Sequence, residues 1–286
     1  MAEHDPSAPT LFDLAAPTPS FMDLENPEYA YMFGFLQADG HLSAGKGRKG
    51  TLTVEINARD AHILYEFQRL TPYYSSITER VRTTNFAEQH HSATWSLHAL
   101  EARSTLNELG IPHGKKSRTI KPPRVDFSRP DYIRGVIDAD GSLGWTAQGI
   151  PFLSLTSAST AVAAYLCHYG KKVTGAERIA RRNTRDQVYV ITYFKEQAQQ
   201  LAKHLYYPDC LALEHKKANA AAIQTWVRPA DMRIAPPRRR WTERDDRELL
   251  RLGDPAAAAV ALDRTEQSCS MRLWRLRTGR TPTPAE

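Results

Sequence analysis

The sequence is poor in cysteine and has no long apolar runs. Its 286 residues include only three cysteines (Cys167, Cys210 and Cys269), and their scattered positions form neither a disulfide framework nor a zinc pattern. No apolar run approaches the ~20 residues that a membrane helix needs. The N-terminus also lacks the basic start and apolar stretch of a secretory signal. These absences predict a cytoplasmic protein, in a reducing compartment and without a membrane partner.

Lysine and arginine are absent from residues 1–28, which hold six acidic residues. With those six acids set aside, the net charge of +6 for the whole chain becomes +12 for residues 29–286. A basic body of this kind indicates a polyanionic partner, nucleic acid first. A solvated basic surface is the alternative, and charge alone does not decide between the two.

Composition and pattern divide the chain into six stretches. The first is rich in proline, alanine and serine without a clear period, which indicates a flexible acidic tail. Three prolines and five arginines in RPADMRIAPPRRR indicate a linker. The predicted divisions are the tail 1–28, half-domains 29–125 and 126–227, the basic linker 228–240, a three-helix module 241–278 and a disordered end 279–286.

The main body contains an internal duplication. YMFGFLQADGHL begins at Tyr31, and YIRGVIDADGSL begins at Tyr132, 101 residues later. Six of the twelve aligned positions are identical, including Asp39 and Asp140. Each copy is followed by similar strand and helix patterns, in the order α-β-β-α-β-β-α. The sequence therefore predicts an α+β protein with two pseudo-symmetric half-domains, since a repeat of this length is not a solenoid.

Small residues share one face of each repeated helix. Ala30, Gly34 and Ala38 are spaced four apart in the first copy, as are Gly135 and Ala139 in the second. Residues at this spacing lie on the same side of a helix. Small side chains there let two helix backbones approach closely. We expect the two repeated helices to pack against each other.

An aspartate precedes the glycine that ends each repeated helix. Gly40 and Gly141 are predicted to form left-handed C-caps. Asp39 and Asp140 therefore lie at the negative ends of two helix dipoles, and they repel each other if the helices pack. A divalent cation relieves both problems, and hard oxygen ligands suit Mg²⁺. An ordinary Asp-Gly turn is the alternative, but the duplication favours a functional pair.

The segments MFGFLQADG and IRGVIDADG resemble the paired motifs of single-chain LAGLIDADG homing endonucleases. The resemblance covers roughly residues 29–227. It implies two half-domains that form a DNA-binding saddle with the motif helices at their interface. It also implies a monomeric, Mg²⁺-dependent endonuclease that makes a staggered double-strand cut in a long, nonpalindromic target.

Site residues follow from this resemblance by position. Asp39 and Asp140 are implied as catalytic metal ligands, with the backbone carbonyls of Ala38 and Ala139 as additional ligands. Position 37 departs from the pattern, because a glutamine stands where the second copy has Asp138. That position is not the principal metal ligand.

The family also tends to place a basic residue after the last helix of each half. Here that residue is Lys116, with Lys115 as the alternative, and Lys216, with Lys217 as the alternative. A lysine near the scissile phosphate can polarise water or balance developing charge. A surface lysine that contacts the DNA backbone or solvent is an equally open reading.

Alternating strands predict a polar surface for DNA. In Thr51–Asn57, the apolar Leu52, Val54 and Ile56 point one way and the polar residues point the other. A polar, basic sheet face suits a DNA groove, where arginine and asparagine address base edges and lysine holds phosphates. The predicted contacts from sheets and turns are Lys46, Arg48, Lys49, Thr53, Glu55, Asn57, Thr78, Arg80, Arg82, Arg181, Arg182 and Arg185.

The C-terminal module carries three helix-start signals. Thr242 with Asp245 resembles a capping box, Asp254-Pro255 begins a second helix, and Thr265 can cap a third. The pattern looks like a Myb-like or homeodomain-like helix-turn-helix module, whose third helix would present Gln267, Ser268, Arg272 and Arg275 to DNA. A protein-contact module is the alternative. The predicted core is Trp241, Leu249, Leu250, Val260, Leu262, Met271 and Trp274.

Two other functions stay open at the level of sequence. A DNA-binding regulator that does not cleave is compatible with the appended module, although the presence of both aspartates argues against it. An RNA maturase that binds an intron is also compatible, and intron RNA is then the partner in place of double-stranded DNA.

Overall fold

A computed structural model describes residues 20–43, 49–84, 87–232 and 240–284. Contacts divide the chain into two units, Met1–Arg228 and Pro229–Glu286, and each unit has its own apolar core. Of the predicted DNA contacts, Lys46 and Arg48 lie outside the described residues. In the part of the chain that is described, no helix combines the length and apolar character needed to cross a membrane.

The first half of the larger unit follows the predicted order. Its elements are α1 (Pro27–Asp39), β1 (His41–Leu42), β2 (Leu52–Asn57), a 3-10 turn (Ala58–Asp60), α2 (His62–Leu70), β3 (Ser75–Thr84), β4 (Ala87–Leu97) and α3 (Leu100–Leu109). The strands form an antiparallel sheet in the order β1-β2-β4-β3. Strand β2 pairs with the part of β4 from Ser92 to Leu97. The earlier part of β4 pairs with β3, so these two strands extend beyond β2 as a two-stranded arm.

The second half has one strand fewer and one helix more than predicted. Its elements are α4 (Arg129–Asp140), β5 (Gly141–Trp145), β6 (Pro151–Ser157), α5 (Thr160–Thr174), β7 (Tyr189–Phe194), α6 (Glu196–Leu205) and α7 (Glu214–Gln224). The sheet order is β5-β6-β7. In place of the expected fourth strand, a single bridge joins Arg182 to Tyr189. The segment before it buries no apolar stripe, since Ile179 is 74% exposed. The α+β class itself is confirmed.

Helices α1 and α4 pack side by side through their glycines. A Cβ atom on Gly34 would lie 2.3 Å from the carbonyl oxygen of Tyr132, and one on Gly135 would lie 2.1 Å from that of Tyr31. No side chain fits at such distances, so the two backbones touch where the small residues lie. The predicted packing of the repeated helices is confirmed. Both helices are almost fully buried, and they form the centre of the unit's core.

The ends of these two helices differ from the prediction. Gly40 (φ −68°) and Gly141 (φ −104°) have extended conformations, so neither is a left-handed cap. Glycine is required for space instead. A Cβ atom on Gly40 would lie 2.5 Å from the carbonyl oxygen of Leu36, and one on Gly141 would lie 2.7 Å from that of Ser154. The chain can therefore pass directly from each helix into the following strand.

Part of the predicted N-terminal tail is folded. Residues 1–19 lie outside the described part of the chain, but Met22 and Leu24 are buried in the core. The Asn26 side chain accepts hydrogen bonds from the backbone N–H groups of Glu28 and Tyr29 and caps α1. The tail prediction fails for residues 20–28 because these apolar side chains reach the core and the cap begins a helix.

The smaller unit is a three-helix module with the predicted caps. Its helices are α8 (Glu243–Leu252), α9 (Pro255–Leu262) and α10 (Glu266–Arg277). Thr242 and Asp245 form a reciprocal capping box, Asp254 caps α9, and Thr265 caps α10. The predicted tail that follows contains no helix or strand in its described residues 279–284.

The core of this module differs from the predicted set. Leu249 and Leu262 are buried as expected, and Trp241 packs against them, but Ala258, Cys269, Leu273 and Leu276 supply the rest. Four predicted core residues are exposed: Leu250, Val260, Met271 and Trp274. Short helices joined by tight turns leave a narrow core, which four leucines, an alanine and a cysteine fill.

Candidate active site

Two carboxylates meet where the packed helices end. Asp39 is the last residue of α1, and Asp140 is the last residue of α4. Burial, followed by the charge of Asp39, raises the pKa of Asp140 to about 6. Burial also raises the pKa of Asp39, against the opposing charges of Lys116 and Lys216. The two carboxylates therefore lie close enough to interact, although both side chains reach solvent.

The predicted lysines are buried at the ends of the same helices. Lys116 Nζ donates hydrogen bonds to the carbonyl oxygens of Gln37, at 2.6 Å, and Ala38. Lys216 Nζ donates to the carbonyl oxygens of Ile137 at 2.8 Å, Asp138 at 2.6 Å and Gly141 at 2.9 Å. Each ammonium group thus satisfies carbonyls at a helix C-terminus and offsets the negative end of the dipole.

These lysines also set the electrostatics of the carboxylates. Burial lowers the pKa of Lys116, and the charges of Asp140 and Asp39 oppose that change. Burial likewise lowers the pKa of Lys216, opposed by the charges of Asp138, Asp60, Asp140 and Asp39. The alternatives Lys115 and Lys217 are exposed. The structure thus distinguishes Lys116 and Lys216, which are buried, from their exposed neighbours. Both buried lysines lie beside the two aspartates.

The donor set at the helix ends fits a hard divalent cation. The pKa changes of Asp39 and Asp140 come from burial and charge, with no hydrogen bond to either carboxylate among their causes. Within the described ranges, no cluster of three or more His, Cys, Asp or Glu side chains is arranged for a metal. A cation here would therefore use the two carboxylates together with backbone oxygens. Those of Ala38 and Ala139 remain suitable because a carbonyl oxygen has two lone pairs.

A cleft opens beside the helix ends, and residues of both halves line it. Its volume is about 360 Å³, and its lining includes Asp39, Ala139 and Lys216. Asp60 and His215 line it as well, and His215 Nδ1 lies 2.9 Å from Asp60 Oδ1. The sequence analysis did not include this pair. Asp60 and His215 are 155 residues apart, so no local spacing could indicate that they meet.

The first half carries most of the predicted sheet contacts. Thr53, Glu55 and Asn57 lie on the polar side of β2, while Thr78, Arg80 and Arg82 are exposed on β3. Arg82 pairs with Glu55 at 2.8 Å, and Asn57 Oδ1 accepts a hydrogen bond from the N–H of Arg59. Lys49 is exposed as well. The set remains a polar surface with guanidinium groups along the arm of β3 and β4.

The second half presents a different surface. Arg181, Arg182 and Arg185 are exposed, but the Arg182 guanidinium lies over the ring of Tyr189 and Arg185 pairs with Asp186. On the sheet, Phe194 and Val190 are 42% and 52% exposed. The two halves therefore share a backbone plan, but the chemistry of their sheet faces differs.

The predicted contacts of the C-terminal module divide into two kinds. Gln267 and Arg275 are exposed on α10, and Ser268 is half-buried. The Arg272 guanidinium donates to both carboxylate oxygens of Asp246, at 2.8 and 2.6 Å. It also lies over the ring of Trp241. Arg272 therefore ties α10 to α8 within the module.

The larger unit thus consists of two αβ halves joined by two packed helices, with an acidic residue at the end of each helix. Solved structures similar to this chain are LAGLIDADG homing endonucleases and a related domain. I-SmaMI, bound to an uncleaved DNA target in the presence of calcium ions, is 13% identical over 70% of this chain and 89% of that chain, with a TM-score of 0.47. I-WcaI, bound to its DNA recognition sequence, is 13% identical over 69% and 87%, with a TM-score of 0.47.

The N-terminal LAGLIDADG domain of DUF199/WhiA is 11% identical over 70% of this chain and 87% of that chain, with a TM-score of 0.44. Neither a family sequence model nor a curated protein sequence matches the chain. At these identities the similarity concerns the fold alone.

Proposed function

We propose that this protein is a site-specific DNA endonuclease of the homing type that cuts both strands of a long, nonpalindromic target with the help of a divalent cation. One observation carries the proposal: Asp39 and Asp140 converge at the junction of the two halves. Burial and the charge of Asp39 raise the pKa of Asp140 to about 6. Two partly desolvated carboxylates that repel each other form a costly arrangement that a hard cation stabilises.

Each half contributes equivalent groups to this centre. The first supplies Asp39 and Lys116, and the second supplies Asp140 and Lys216. A duplex has two backbones of opposite direction, so a pseudo-symmetric pair of acidic groups is suited to act on both of them. A single chain with two unequal halves is suited to an asymmetric target, and we propose that it acts as a monomer.

Asp39 and Asp140 would hold the cation, together with the backbone carbonyls of Ala38 and Ala139. When bound, Mg²⁺ supplies Lewis-acid activation of water and offsets the charge on the phosphate. The chain's own contribution is to fix the carboxylates through the packed helices. Lys116 and Lys216 support both helix ends and place positive charge where the phosphate would lie. The exposed polar groups of β2 and β3 would contact DNA, and Arg275 and Gln267 of α10 would extend that contact.

Selection of cleaved sites tests this proposal. The full chain is incubated with circular duplexes that carry a long random segment, in buffer with Mg²⁺, and the linear products are sequenced. Asp140→Asn and Asp39→Asn proteins are treated in parallel, and binding of every protein to the selected target is measured with Ca²⁺. We expect one extended target, and each substitution should slow its cleavage by at least about 100-fold without abolishing binding.

Other outcomes identify the rival functions. A protein that binds a single target in Mg²⁺ but leaves it uncut would be a regulator. Specific binding to structured intron RNA that needs neither aspartate would indicate a maturase. Cleavage that continues at the wild-type rate in the Asp140→Asn protein would refute the proposed centre.

A further inference from the structure

A histidine and a buried aspartate from opposite halves meet beside the proposed centre. Asp60 ends the 3-10 turn of the first half, and its side chain is 10% exposed. His215 lies in the first turn of α7 in the second half, and its side chain is 36% exposed. The His215 Nδ1 to Asp60 Oδ1 distance is 2.9 Å. The second ring nitrogen, Nε2, takes no part in this contact.

The pair lies among the charged groups of the centre. Asp60, His215, Asp39 and Lys216 all line the same cleft of about 360 Å³. Arg59, Glu55 and Asp138 also line it, and Arg59 Nε lies 3.3 Å from Asp60 Oδ2. The charge of Asp60 also acts on the Lys216 ammonium, as do those of Asp140 and Asp39. His215 is therefore held at a fixed place next to a residue that supports the end of α4.

The first half lacks an equivalent pair. Lys115 precedes Lys116 just as His215 precedes Lys216, and Lys115 is exposed. The burial pattern of residues 62–70 repeats at residues 161–169, so Asp60 corresponds to Ser159 at the start of α5. The Ser159 hydroxyl donates instead to the carbonyl oxygen of Ile120, at 2.6 Å. The imidazole–carboxylate pair of His215 and Asp60 thus lies on one side of the pseudo-symmetric centre.

We infer that His215, positioned by Asp60, is a proton acceptor for the hydrolysis of one DNA strand only. This inference rests on the proposed nuclease function and adds an asymmetry to it. Asp60 accepts the Nδ1–H hydrogen bond, which leaves the lone pair of Nε2 directed away from it. Nε2 takes a proton from water while the water oxygen bonds to phosphorus. The bond from phosphorus to the leaving ester oxygen breaks, and that oxygen takes a proton from solvent.

A strand-resolved nicking assay tests the inference. The substrate is a supercoiled plasmid that carries the selected target, with a different label on each strand, and the reaction contains Mg²⁺. His215→Ala should slow cleavage of one strand by about 100-fold, a rate loss within the usual range for removal of a proton acceptor. Cleavage of the other strand should keep its wild-type rate, so nicked circles accumulate. Free imidazole should restore part of the lost rate.

Further variants distinguish a role of His215 in proton transfer from a purely structural role, in which its contact with Asp60 only holds the two halves together. His215→Gln keeps an amide that can bond to Asp60, so it should fold normally but lose the same strand's rate. Asp60→Asn should slow cleavage of the same strand, because the imidazole of His215 then loses the carboxylate that positions it. Glu214→Gln, at the exposed residue beside His215, is the matched control and should cut both strands normally. Melting temperature and affinity for the target in Ca²⁺ should stay unchanged in the His215→Gln protein.

The outcomes are distinct from those of the parent proposal. Equal slowing of both strands, no slowing, or one-strand slowing that imidazole does not relieve would each overturn the role of His215. If wild-type protein cuts neither strand, or if the Asp140→Asn protein cuts both normally, the nuclease proposal itself fails. Imidazole rescue confined to one strand, in a protein that needs both aspartates, would support both.

Discussion

The hydroxyl of Tyr31 donates a hydrogen bond to Asp138 Oδ2 at 2.8 Å, across the junction between the two halves. Its pseudo-symmetric counterpart is the bond from the Tyr132 hydroxyl to Gln37 Oε1, at 2.7 Å. Both tyrosines begin the repeated motif, and both acceptors lie two residues before the proposed metal ligands. Asp138 stands where the first copy has Gln37, and it therefore has a structural role. Because Gln37 accepts the equivalent hydrogen bond, the difference between the copies is compatible with the proposed centre.

The two acceptors are not interchangeable. Asp138 accepts further bonds from the Tyr206 hydroxyl and the Leu213 N–H, whereas Gln37 Nε2 donates to the carbonyls of Gly110 and Lys121. Asp138→Asn would aim an NH₂ group at donors, and Gln37→Glu would aim an oxygen at carbonyls. Each should lower the free energy of unfolding by about 2 kcal/mol, measured by urea denaturation. A neutral result for either would show that water, rather than these groups, occupies the site.

Alanine at the helix contact should destabilise the larger unit. Gly34→Ala and Gly135→Ala place a methyl group within 2.3 Å and 2.1 Å of a facing carbonyl oxygen, so the helices must separate. The expected loss is about 3 kcal/mol in unfolding free energy. Helix propensity alone predicts the opposite sign, a gain of about 1 kcal/mol. The sign of the change in urea denaturation therefore decides whether the backbones touch.

Without metal, the contribution of Asp140 to stability should fall as pH rises through its titration. Its folded-state pKa is raised from 3.8 to about 6, so the folded protein binds more protons than the unfolded chain between these values. The contribution of Asp140 to the free energy of unfolding therefore decreases from pH 4 to pH 6 and levels off above that range. Because the side chain reaches solvent, screening limits the effect to about 1 kcal/mol.

Asp140→Asn supplies the comparison for this pH effect. The substituted protein, with EDTA present, should lose the slope that Asp140 contributes and should be more stable than wild type at neutral pH. Urea midpoints measured across the range test the expectation. Identical pH profiles for the two proteins would mean that the carboxylate is ordinary and fully solvated.

Divalent cations should stabilise the folded protein in the absence of DNA. A ligand that binds only the native state raises the free energy of unfolding by about 2.7 kcal/mol at 100 times its dissociation constant. Thermal scans with Mg²⁺ or Ca²⁺ should therefore show a higher melting temperature for wild type, which EDTA reverses. The Asp39→Asn/Asp140→Asn protein should not respond. If it responds as wild type does, the cation binds elsewhere.

Two arginines of α10 should respond differently to substitution. Arg275→Ala, at an exposed residue, should weaken binding of the target and reduce its salt dependence while the module stays stable. Arg272→Ala leaves Asp246 buried without its partner and should cost the module about 3 kcal/mol. Binding at several salt concentrations and denaturation monitored by tryptophan fluorescence separate the two effects. Equal DNA affinity in Arg275→Ala and wild type would favour a protein partner for the module.

Much of the centre could be predicted from local sequence. The repeated Gly-x-x-x-Ala-Asp-Gly pattern was sufficient to predict two helices in contact through Gly34 and Gly135. The caps at Thr242, Asp254 and Thr265 were recognisable because a cap depends on neighbours within three residues. The order of elements in the first half was predicted for the same reason, since its apolar periodicity changes clearly from strand to helix.

Other features depend on contacts that local pattern does not contain. The fourth strand expected in the second half would need a covered apolar stripe, but Ile179 in that segment is 74% exposed. Val260 and Trp274 had the spacing of core residues, yet Ala258 and Cys269 fill that narrow space. Gly40 looked like a left-handed cap, but the steric limit comes from the backbone of its own helix. The meeting of Asp60 with His215 required the assembly of both halves.

Because Lys216 lies on α7, the proposed centre is complete only when the last helix of the larger unit has been made. A chain that has emerged only as far as Leu205 already contains both aspartates and all of the sheet residues, but it lacks the ammonium group that supports the end of α4. The last helix of the larger unit thus completes the centre. In the proposed endonuclease, translation products that stop before α7 should therefore be unable to cut DNA.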